Sequence, residues 1–497
     1  MLFNSINFAV FFVIVASLYF AFPFRYRPWL LLAASSWFYM AFVPVYIFIL
    51  AITIVVDYFS AIWMERSEGR KRKRYLLLSL ATTIGVLFVF KYFNFFADNA
   101  NHIAQIIHWN YSVPLLKILL PIGLSFHTFQ GMSYIIEVYR GRQKAEKNFN
   151  IYALYVMFFP QLVAGPIERP QNLLHQFYEE HIFDYQRVVR GLQLMAWGLF
   201  KKVVIADRLA FYVNHIYENV YDHSGVPVFL AIIFFSFQIY CDFSGYSDIA
   251  RGSAEVLGFR LMKNFNRPYF SKSISEFWRR WHISLSTWFK DYLYLPLGGS
   301  RVPAIKKYRN ILIVFVVSGL WHGANWTYII WGGLHGIFLI IDSASIRLRK
   351  NVAQILLLAR HQRVRDFIGA ATTFLIVSAT WVFFRAENFS DAVYLLRTGV
   401  TWMPEWFHNI LNYGYYEHEL FSQILIPGFP KGQLAIAFFS VMILVITELF
   451  ERKGDLRNRI AAQSMVVRWV IYYCLIMSIL VLGYYPSSPQ PFIYFQF

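Results

Sequence analysis

Long apolar runs, separated by short polar segments, recur along nearly the whole chain. A helix that crosses the hydrocarbon core of a bilayer needs about 20 predominantly apolar residues. The pattern therefore predicts one all-α, polytopic integral membrane domain over residues 1–497, with about 11–12 membrane spans. The predicted spans are 6–24, 28–44, 45–63, 75–92, 118–138, 188–212, 226–250, 310–322, 325–345, 366–385, 434–450 and 466–484.

Two breaks in regular helix are expected inside the membrane. Residues 151–166 end in an Ala-Gly-Pro sequence, which favours a re-entrant segment over a simple span. The spans 310–322 and 325–345 meet between His322 and Asn325, so the turn that joins them is expected at membrane depth. Backbone of this kind is tolerated only where protein or water covers it.

The composition agrees with a membrane protein. Apolar residues make up 58% of the chain and charged residues 15%, against roughly half and a quarter in soluble domains. The aromatic share of 20% suits membrane interfaces and also an interior cavity lined by rings. Cys241 and Cys474 lie far apart in apolar surroundings, so they predict neither a disulfide nor a metal site.

The net charge of +18 is carried by short loops, so it indicates membrane orientation and not nucleic-acid binding. Segments 66–74 and 139–147 are rich in Lys and Arg, whereas 93–116 has neither. Under the positive-inside rule the first two are cytoplasmic and the third lies outside. The basic segment 251–309 is predicted to be a cytoplasmic amphipathic segment, and 386–433, which is rich in acids, an outer loop.

His322 is a lone imidazole between two predicted spans. An ionisable group at membrane depth is expensive and is a functional candidate by default. The structural alternative is a buried His that hydrogen-bonds a helix carbonyl or helps two helices to pack. No Walker A loop, HExxH sequence or spaced Cys/His set occurs. The chain offers histidines as bases and no evident protein nucleophile, which indicates direct transfer between two substrates.

His282 lies in a second candidate segment, 277–292. Trp278, Trp281 and Trp288 recur there at helical spacing with charges between them. This spacing predicts an amphipathic helix that lies on the cytoplasmic surface or dips into a funnel. An ordinary interfacial anchor accounts for the tryptophans and arginines but leaves the histidine unexplained.

Asp242 belongs to a polar cluster at the inner end of the predicted span 226–250 and is too polar to face lipid. We interpret it as paired with Arg251 or as the cap of a broken helix, with a place in the lining of an internal funnel as the alternative. His335, on the span after His322, is a further imidazole at membrane depth.

Six motifs, in this order along the chain, resemble those of the membrane-bound O-acyltransferase family. The resemblance is strongest to the bacterial branch that acts in alginate acetylation, peptidoglycan acetylation and teichoic-acid D-alanylation. The resemblance extends from about residue 120 to the C-terminus, and the motif-bearing core lies at about 120–385. Together the motifs are highly specific. They are PQLVAGPI at 160–167, CDFSGYSD at 241–248, EFWRRWHISLSTW at 276–288, LPLGG at 295–299, WHGA at 321–324 and FIYFQF at 492–497.

The resemblance implies a basin of tilted helices perforated by a central funnel, in a bacterial inner (plasma) membrane. It implies that His322 is the catalytic histidine at the funnel floor, and that His282 is the second family histidine near the cytoplasmic entrance. No cofactor is expected to stay bound. Acetyl-CoA or an acyl-carrier thioester is the expected donor from the cytoplasm, and periplasmic acetyltransferase proteins are the expected partners.

The chemistry of the side chains fits these roles. Imidazole suits a general base because its unperturbed pKa lies near 6.5. Trp321, Asn325 or a backbone amide is the candidate for orienting the ring or stabilising an oxyanion. Arg279 and Arg280, near the inner mouth, are the candidates for binding donor phosphates.

Together with the side-chain chemistry, the resemblance implies a membrane O-acetyltransferase that passes an acetyl group across the membrane to an exopolysaccharide, with alginate as the first expectation and His322 as general base. A transporter or flippase for a polysaccharide or lipid-linked sugar is the alternative from another class, because broken helices and polar groups at the midplane are also transporter features. Within the family, peptidoglycan acetylation and teichoic-acid D-alanylation stay open.

Overall fold

The structure is a computed structural model that describes residues 1–163, 165–355, 361–413, 426, 429–452, 454–485 and 492–493. Throughout these residues the chain forms helices and turns without a β-strand, which confirms the predicted all-α class. Ala164 of the PQLVAGPI motif, part of the segment 386–433 and residues 494–497 of the C-terminal motif lie outside the described residues.

The α-helices are numbered here in chain order. They are α1 Ile6–Ala21, α2 Arg27–Met40, α3 Ile47–Glu65, α4 Gly69–Leu87, α5 Phe93–Ile106, α6 Leu124–Tyr139, α7 Phe149–Met157, α8 Phe159–Leu162, α9 Pro170–Leu173, α10 Tyr185–Leu199, α11 Asp207–Glu218, α12 Val226–Leu257, α13 Ile274–Arg280, α14 Ile283–Phe289, α15 Ala304–His322, α16 Trp326–Ala344, α17 Ile346–Ile355, α18 Gln362–Arg385, α19 Phe389–Tyr413, α20 Lys431–Glu451, α21 Leu456–Ala461 and α22 Met465–Leu482. In the described part of the chain, three wider, π-helical turns interrupt them at Phe88–Tyr92, Phe200–Ala206 and Lys290–Tyr294.

Seven helical segments within the described part of the chain are long and apolar enough to cross a membrane. The protein is therefore a multi-pass membrane protein, and these seven segments are the ones that meet a criterion of length and composition. The seven segments are Pro44–Glu65, Gly69–Ile106, Val226–Leu257, Trp326–Ala344, Gln362–Arg385, Lys431–Glu451 and Met465–Leu482.

Other predicted spans form helices that are shorter or more polar than this criterion requires. The apolar runs 6–24 and 28–44 form helices of only 16 and 14 residues. The run 188–212 is divided between α10, a π-helical turn and α11. That turn buries two lysines, Lys201 and Lys202, so its interior is polar where the hydropathy pattern predicts a uniform span.

The segment 386–433, predicted to be an outer loop, contains the 25-residue helix α19. The start of this helix is fixed by a reciprocal cap. The Asp391 backbone N–H donates to Asn388 Oδ1 at 2.9 Å, and Asn388 Nδ2 donates to Asp391 Oδ2 at 2.8 Å. A polar side chain that satisfies a first-turn N–H in this way stabilises a helix start.

The chain divides into two compact units. The first comprises residues 1–195 and 246–263, and it has a buried polar centre at Asp57 of α3. Ser79 of α4 and Tyr152 of α7 donate to this carboxylate at 2.5 and 3.4 Å. Because a buried polar group is stable only when it is hydrogen-bonded, these contacts tie three helices together.

The segment 151–166 lies in the first unit and does not form one continuous helix. It comprises α7 and the single-turn α8, with a break at Phe158, whose φ and ψ are −51° and 110°. Residues 151–163 are buried throughout. The irregular backbone is thus covered by protein, as a broken segment in a membrane protein requires.

The second unit comprises residues 196–245 and 264–497 and holds all the candidate catalytic residues. Its centre is the helical hairpin α15–α16, joined by residues 323–325 and packed against α13 and α18. The rest of the unit includes α20 and α22, both of which contact the π-helical turn Phe200–Ala206.

Candidate active site

His322 is the last residue of α15 and is 4% exposed. Gly323 ends the helix by adopting an extended conformation with a φ of −158°, and Asn325 begins α16 two residues later. A helix end offers backbone groups that lack partners within the helix. The connection therefore needs a cap, and Asn325 supplies it.

Asn325 uses both polar atoms of its side chain to hold this turn. Its Oδ1 accepts the backbone N–H of Thr327 at 3.0 Å, and its Nδ2 donates to the Glu387 carbonyl at 3.1 Å. The two bonds fix the start of α16 and connect it to the segment after α18. They give Asn325 a structural role, whereas its prediction as an oxyanion or funnel group stays a prediction.

Two glycines bring the backbones of α15 and α16 into contact in the helical turns next to His322. A Cβ on Gly319 would lie 2.2 Å from the Tyr328 carbonyl oxygen, and a Cβ on Gly332 would lie 2.2 Å from the Phe315 carbonyl oxygen. Real Cβ atoms do not approach backbone oxygens so closely, so only glycine fits at these two positions. This close crossing fixes the place of the His322 end of the hairpin.

Three rings surround the His322 imidazole and form what we call the aromatic cage: Trp321, Trp331 and Phe384. Their ring centres lie 4.9, 5.0 and 5.4 Å from that of His322, all in edge-to-face orientation. Edge-to-face packing of this kind is a favoured aromatic geometry. The cage holds the imidazole in one orientation and in a mostly apolar environment.

His282 lies at a break in the predicted amphipathic helix 277–292. The segment forms two short helices, α13 and α14, and His282 between them has a φ of 42° and a ψ of 55°. The Asn264 carbonyl accepts the Ile283 N–H at 2.9 Å, and Asn264 Oδ1 accepts the Ser284 N–H at 3.3 Å. These bonds satisfy the first donors of α14 and stabilise the break, so the prediction of one continuous helix is wrong.

The break directs His282 into the protein. Its side chain is fully buried, and its ring centre lies 4.6 Å from Phe243 and 6.3 Å from Trp321. Burial lowers the pKa of His282 to about 3, because an apolar environment disfavours the charged imidazolium. Trp278, Trp281 and Trp288 of the same segment are buried as well.

Trp321 connects the two predicted catalytic histidines. Its ring lies 4.9 Å from the ring of His322 and 6.3 Å from the ring of His282, measured between ring centres. The structure thus brings together three of the residues that the sequence singles out, with one indole between two buried imidazoles.

A cavity of about 840 Å³ is lined by Ile283, the residue after His282, but not by His282, Trp321 or His322 themselves. Its lining includes Trp278, Val314, Phe315 and Ser318. Ser318 precedes His322 by four residues on α15, so the two side chains share one face of the helix. The cavity therefore reaches to within one helical turn of the caged histidine.

Four basic residues lie around the cavity. They are Arg279 of α13, Lys290 of the π-helical turn Lys290–Tyr294, Lys307 of α15 and Arg349 of α17. Asp342 also lines it and pairs with Arg349 at 2.6 Å between Oδ1 and Nη1. The cavity thus combines an apolar interior with a positively charged lining.

Arg280 does not line this cavity, although the sequence gives it the same candidate role as Arg279. Its guanidinium pairs with Glu276 one turn earlier, with 2.5 Å between Nη2 and Oε1. Its backbone carbonyl accepts the Asn266 N–H at 2.9 Å. These contacts bind Arg280 to its own helix and to the neighbouring turn.

Asp242 lies in a buried ion cluster and pairs with Lys202, not with Arg251. Its Oδ1 lies 2.5 Å from Lys202 Nζ, and its Oδ2 accepts the backbone N–H of Ile493 at 2.7 Å. Lys202 also pairs with Asp207 at 2.8 Å. A buried charge is stable only when it is paired in this way, which supports the structural interpretation of Asp242.

Several residues of the site are missed by sequence reasoning. Gly332 and Ser318 gain their importance only from the crossing of α15 with α16 and from the position of the cavity. Lys202 could have been noticed, because two consecutive lysines interrupt the apolar run 188–212. No cluster of three or more His, Cys, Asp or Glu side chains is arranged to hold a metal ion within the described residues.

Residues 147–385 match the membrane-bound O-acyltransferase (MBOAT) family. This stretch contains His282, His322, the aromatic cage and the cavity. Relatives align over nearly all of the chain, at identities that show common descent. The chain therefore belongs to the membrane-bound O-acyltransferase family, and it is a multi-pass O-acyltransferase.

Three of the relatives have names that refer to O-acetylation. A Pseudomonas aeruginosa protein named "Probable alginate O-acetylase AlgI" is 38% identical over 456 residues, which cover 91% of this chain and 83% of the relative. The Azotobacter vinelandii protein of the same name is 41% identical over 396 residues, 79% of this chain and 76% of the relative. A "Peptidoglycan O-acetyltransferase" from Helicobacter pylori is 33% identical over 510 residues, 95% of this chain and 91% of the relative.

Proposed function

We propose that this acyltransferase moves an acetyl group from a cytoplasmic thioester across the inner membrane for the O-acetylation of an exopolysaccharide, with alginate as the favoured polymer. The observation that carries the proposal is the position of His322. It is caged by aromatic rings at the end of α15, one helical turn from Ser318 in the wall of a basic cavity.

The cavity has the properties expected of a donor site. Its volume of about 840 Å³ falls within the range of roughly 300–1,000 Å³ that is common for ligand pockets. The basic side chains around it suit the phosphates of acetyl-CoA or of a carrier protein's prosthetic arm. The apolar part lined by Val314 and Phe315 suits the uncharged arm that ends in the thioester.

The proposed reaction places His322 as general base. The imidazole accepts the proton of the acceptor hydroxyl as its oxygen attacks the thioester carbonyl carbon. The carbon–sulfur bond breaks, and the imidazolium returns the proton to the departing thiolate. A positioned base contributes typically 10²- to 10⁴-fold to such a step.

The acceptor side is proposed from the relatives. Two of them are named as alginate O-acetylases, which favours alginate as the final polymer. The immediate acceptor is a hydroxyl outside the membrane, and we propose that a periplasmic acetyltransferase protein carries the group on to the polymer.

Substitution of His322 tests this proposal. In His322→Ala and His322→Gln proteins, acetyl transfer from labelled acetyl-CoA should fall by at least roughly 10²-fold, because the base is absent. The measurement is labelled product formed by purified protein in nanodiscs, together with acetylation of the polymer in cells. Exposed His361, changed to Gln, is the matched control and should retain activity.

Near wild-type transfer by a correctly inserted His322→Gln protein would overturn the assignment of the base. Wild-type protein that turns over no acetyl-CoA but accepts an acyl-carrier thioester would change the donor and leave the base in place.

Peptidoglycan is the second candidate acceptor, because the alignment with the Helicobacter pylori "Peptidoglycan O-acetyltransferase" covers 95% of this chain. Analysis of acetyl esters on both polymers from one strain that lacks this protein separates the two proposals. Loss of esters from peptidoglycan alone would replace alginate as the acceptor.

A further inference from the structure

His335 of α16 is a second fully buried histidine of the hairpin, and it has polar partners on two other helices. The Trp278 indole N–H of α13 donates to His335 Nδ1 at 3.2 Å. His335 Nε2 and the Thr380 hydroxyl of α18 lie 2.9 Å apart. One imidazole thus connects three helices of the catalytic unit.

The partners determine where the proton of this imidazole lies. The Thr380 hydroxyl donates its single proton to the Val377 carbonyl at 2.7 Å, so it accepts from His335 Nε2. An indole N–H can only donate, so Nδ1 must be an acceptor. The contacts therefore fix His335 as a neutral ring with its proton on Nε2, and both nitrogens are occupied.

The partners of His335 also belong to the walls of the site. Trp278 lines the cavity, and its ring lies 5.0 Å from that of His335. Trp331, one turn before His335 on α16, lies 5.1 Å from His335 and 5.0 Å from His322, between ring centres. His335 therefore borders one ring that lines the donor cavity and one that holds the proposed base.

The third helix is fixed through Thr380. The next residue on α18, Trp381, stacks on Trp331 with ring centres 5.4 Å apart and an interplanar angle of 20°. Phe384, one turn after Thr380, is a member of the aromatic cage and lies 5.1 Å from Trp331. A shift of α18 relative to α16 would move Phe384 against His322 and Trp381 against Trp331.

We propose that His335 is a positioning residue whose two hydrogen bonds hold α13, α16 and α18 in register, so that the donor cavity stays within one helical turn of the caged His322. It does not transfer a proton, because acting as a base would require release of the Trp278 N–H and acting as an acid would require release of Thr380. The inference rests on the proposed function of His322.

Variants that remove one hydrogen bond each test the positioning role. Thr380→Val keeps the shape of the side chain, and Trp278→Phe keeps an aromatic ring but removes the N–H. Each should reduce kcat by roughly 5- to 10-fold, since one buried hydrogen bond is lost. Trp278→Phe should also raise the KM for acetyl-CoA, because Trp278 lines the cavity. Thr372→Val, at an exposed position of α18, is the matched control and should be unchanged.

Rescue by a conservative variant separates positioning from catalysis. His335→Leu removes both bonds and should lose roughly 10- to 100-fold in kcat through misplacement of the site. His335→Gln can accept from Trp278 and donate to Thr380, so it should recover most of that loss. The pH–rate profile of the Gln variant should match that of the wild type, because His335 exchanges no proton during the reaction.

Nitrogen NMR of 15N-histidine-labelled protein supplies a readout that does not depend on activity. The His335 signals, assigned by their absence in His335→Gln, should show a neutral ring protonated on Nε2 and unchanged from pH 8 to pH 5. A ring protonated on Nδ1, a titrating ring, or a Gln variant as inactive as His322→Gln would overturn the positioning role. Wild-type protein without transferase activity, together with the expected NMR signals, would instead overturn the proposed function.

Discussion

Arg279 and Arg280 are neighbours in the sequence, yet their guanidinium groups have different surroundings. Arg279 is exposed and lines the cavity, whereas Arg280 is half-buried and paired with Glu276. A guanidinium already engaged with a carboxylate offers less positive charge to a phosphate. Of this pair, Arg279 is therefore the better candidate for binding the donor.

Arg279→Ala should raise the KM for acetyl-CoA by roughly 5- to 10-fold at low salt, because a charged hydrogen bond at a partly exposed site is lost. The value of kcat should change little, since Arg279 does not touch the reacting atoms. Initial rates at several salt concentrations measure the effect, which should shrink as salt screens the charge. Exposed Arg301, which does not line the cavity, provides the control variant Arg301→Ala. Equal KM values for the two variants would remove Arg279 from the donor site.

At the level of single residues, the sequence located the histidines better than their neighbours. His322, His282 and Trp321 were predicted and lie together, because their motifs carry strong local signals. The surroundings of Asp242 could not be predicted, since Lys202 and Ile493 are far away along the chain. Partners that only folding brings together leave no local pattern in the sequence.

The hairpin α15–α16 is the element that sets the position of His322, and its glycines permit the close contact. Gly332 lies against Phe315 of the opposite helix, whereas the adjacent Gly333 has open space where a side chain would begin. Two neighbouring glycines of one helix thus face different demands. This difference offers a direct test of how much the site depends on the crossing.

Gly332→Ala should reduce both thermal stability and acetyl transfer, because its new Cβ would lie 2.2 Å from the Phe315 carbonyl oxygen. Forcing extra volume into a packed contact costs typically about 1–3 kcal/mol. Gly333→Ala meets nothing within 4 Å, so it should be neutral or slightly stabilising, as alanine favours helix. Thermal unfolding in detergent and the transfer assay measure both effects. Equal behaviour of the two variants would show that the close crossing does not control the site.

The ends of helices are predicted less well by hydropathy and periodicity than the helices themselves, as the break at His282 shows. The spacing of Trp278, Trp281 and Trp288 predicts one helix, but Asn264 stabilises a break at His282 by bonding the first donors of α14. The residue that causes the break lies outside the segment that breaks. Helical periodicity records which side chains are buried and not whether the backbone between them is continuous.

At the scale of the whole molecule, the charge pattern predicts the sides of the membrane on which the loops lie. The helical stretch Gly69–Ile106 has 38 residues, which corresponds to about 57 Å at 1.5 Å per residue. This length exceeds a hydrocarbon core of about 30 Å. The N-terminal end of this stretch is basic, and its C-terminal end has no Lys or Arg. The two ends should therefore emerge on opposite sides of the membrane.

The orientation decides whether the proposed donor cavity can receive a cytoplasmic thioester. Ser300 lines this cavity and is exposed, and it belongs to the basic segment 251–309, which the positive-inside rule places in the cytoplasm. Glu68 and Ser112, both exposed, flank the long helical stretch at its basic and its uncharged end. These three positions report on the sides of the membrane independently of any catalytic assay.

Single-cysteine labelling measures this orientation. The exposed Cys474 is first replaced by serine, and all variants are made in this Cys474→Ser background. Cys241 is buried and is left in place. A membrane-impermeant maleimide applied to spheroplasts should label Ser112→Cys, whereas Glu68→Cys and Ser300→Cys should react only after the membrane is opened. Prior addition of acetyl-CoA to opened membranes should slow labelling at Ser300→Cys and leave Glu68→Cys unaffected, because only Ser300 lines the cavity. Labelling of Ser300→Cys from outside would place the cavity on the acceptor side, and the proposed direction of transfer would then be wrong even if His322 proved essential.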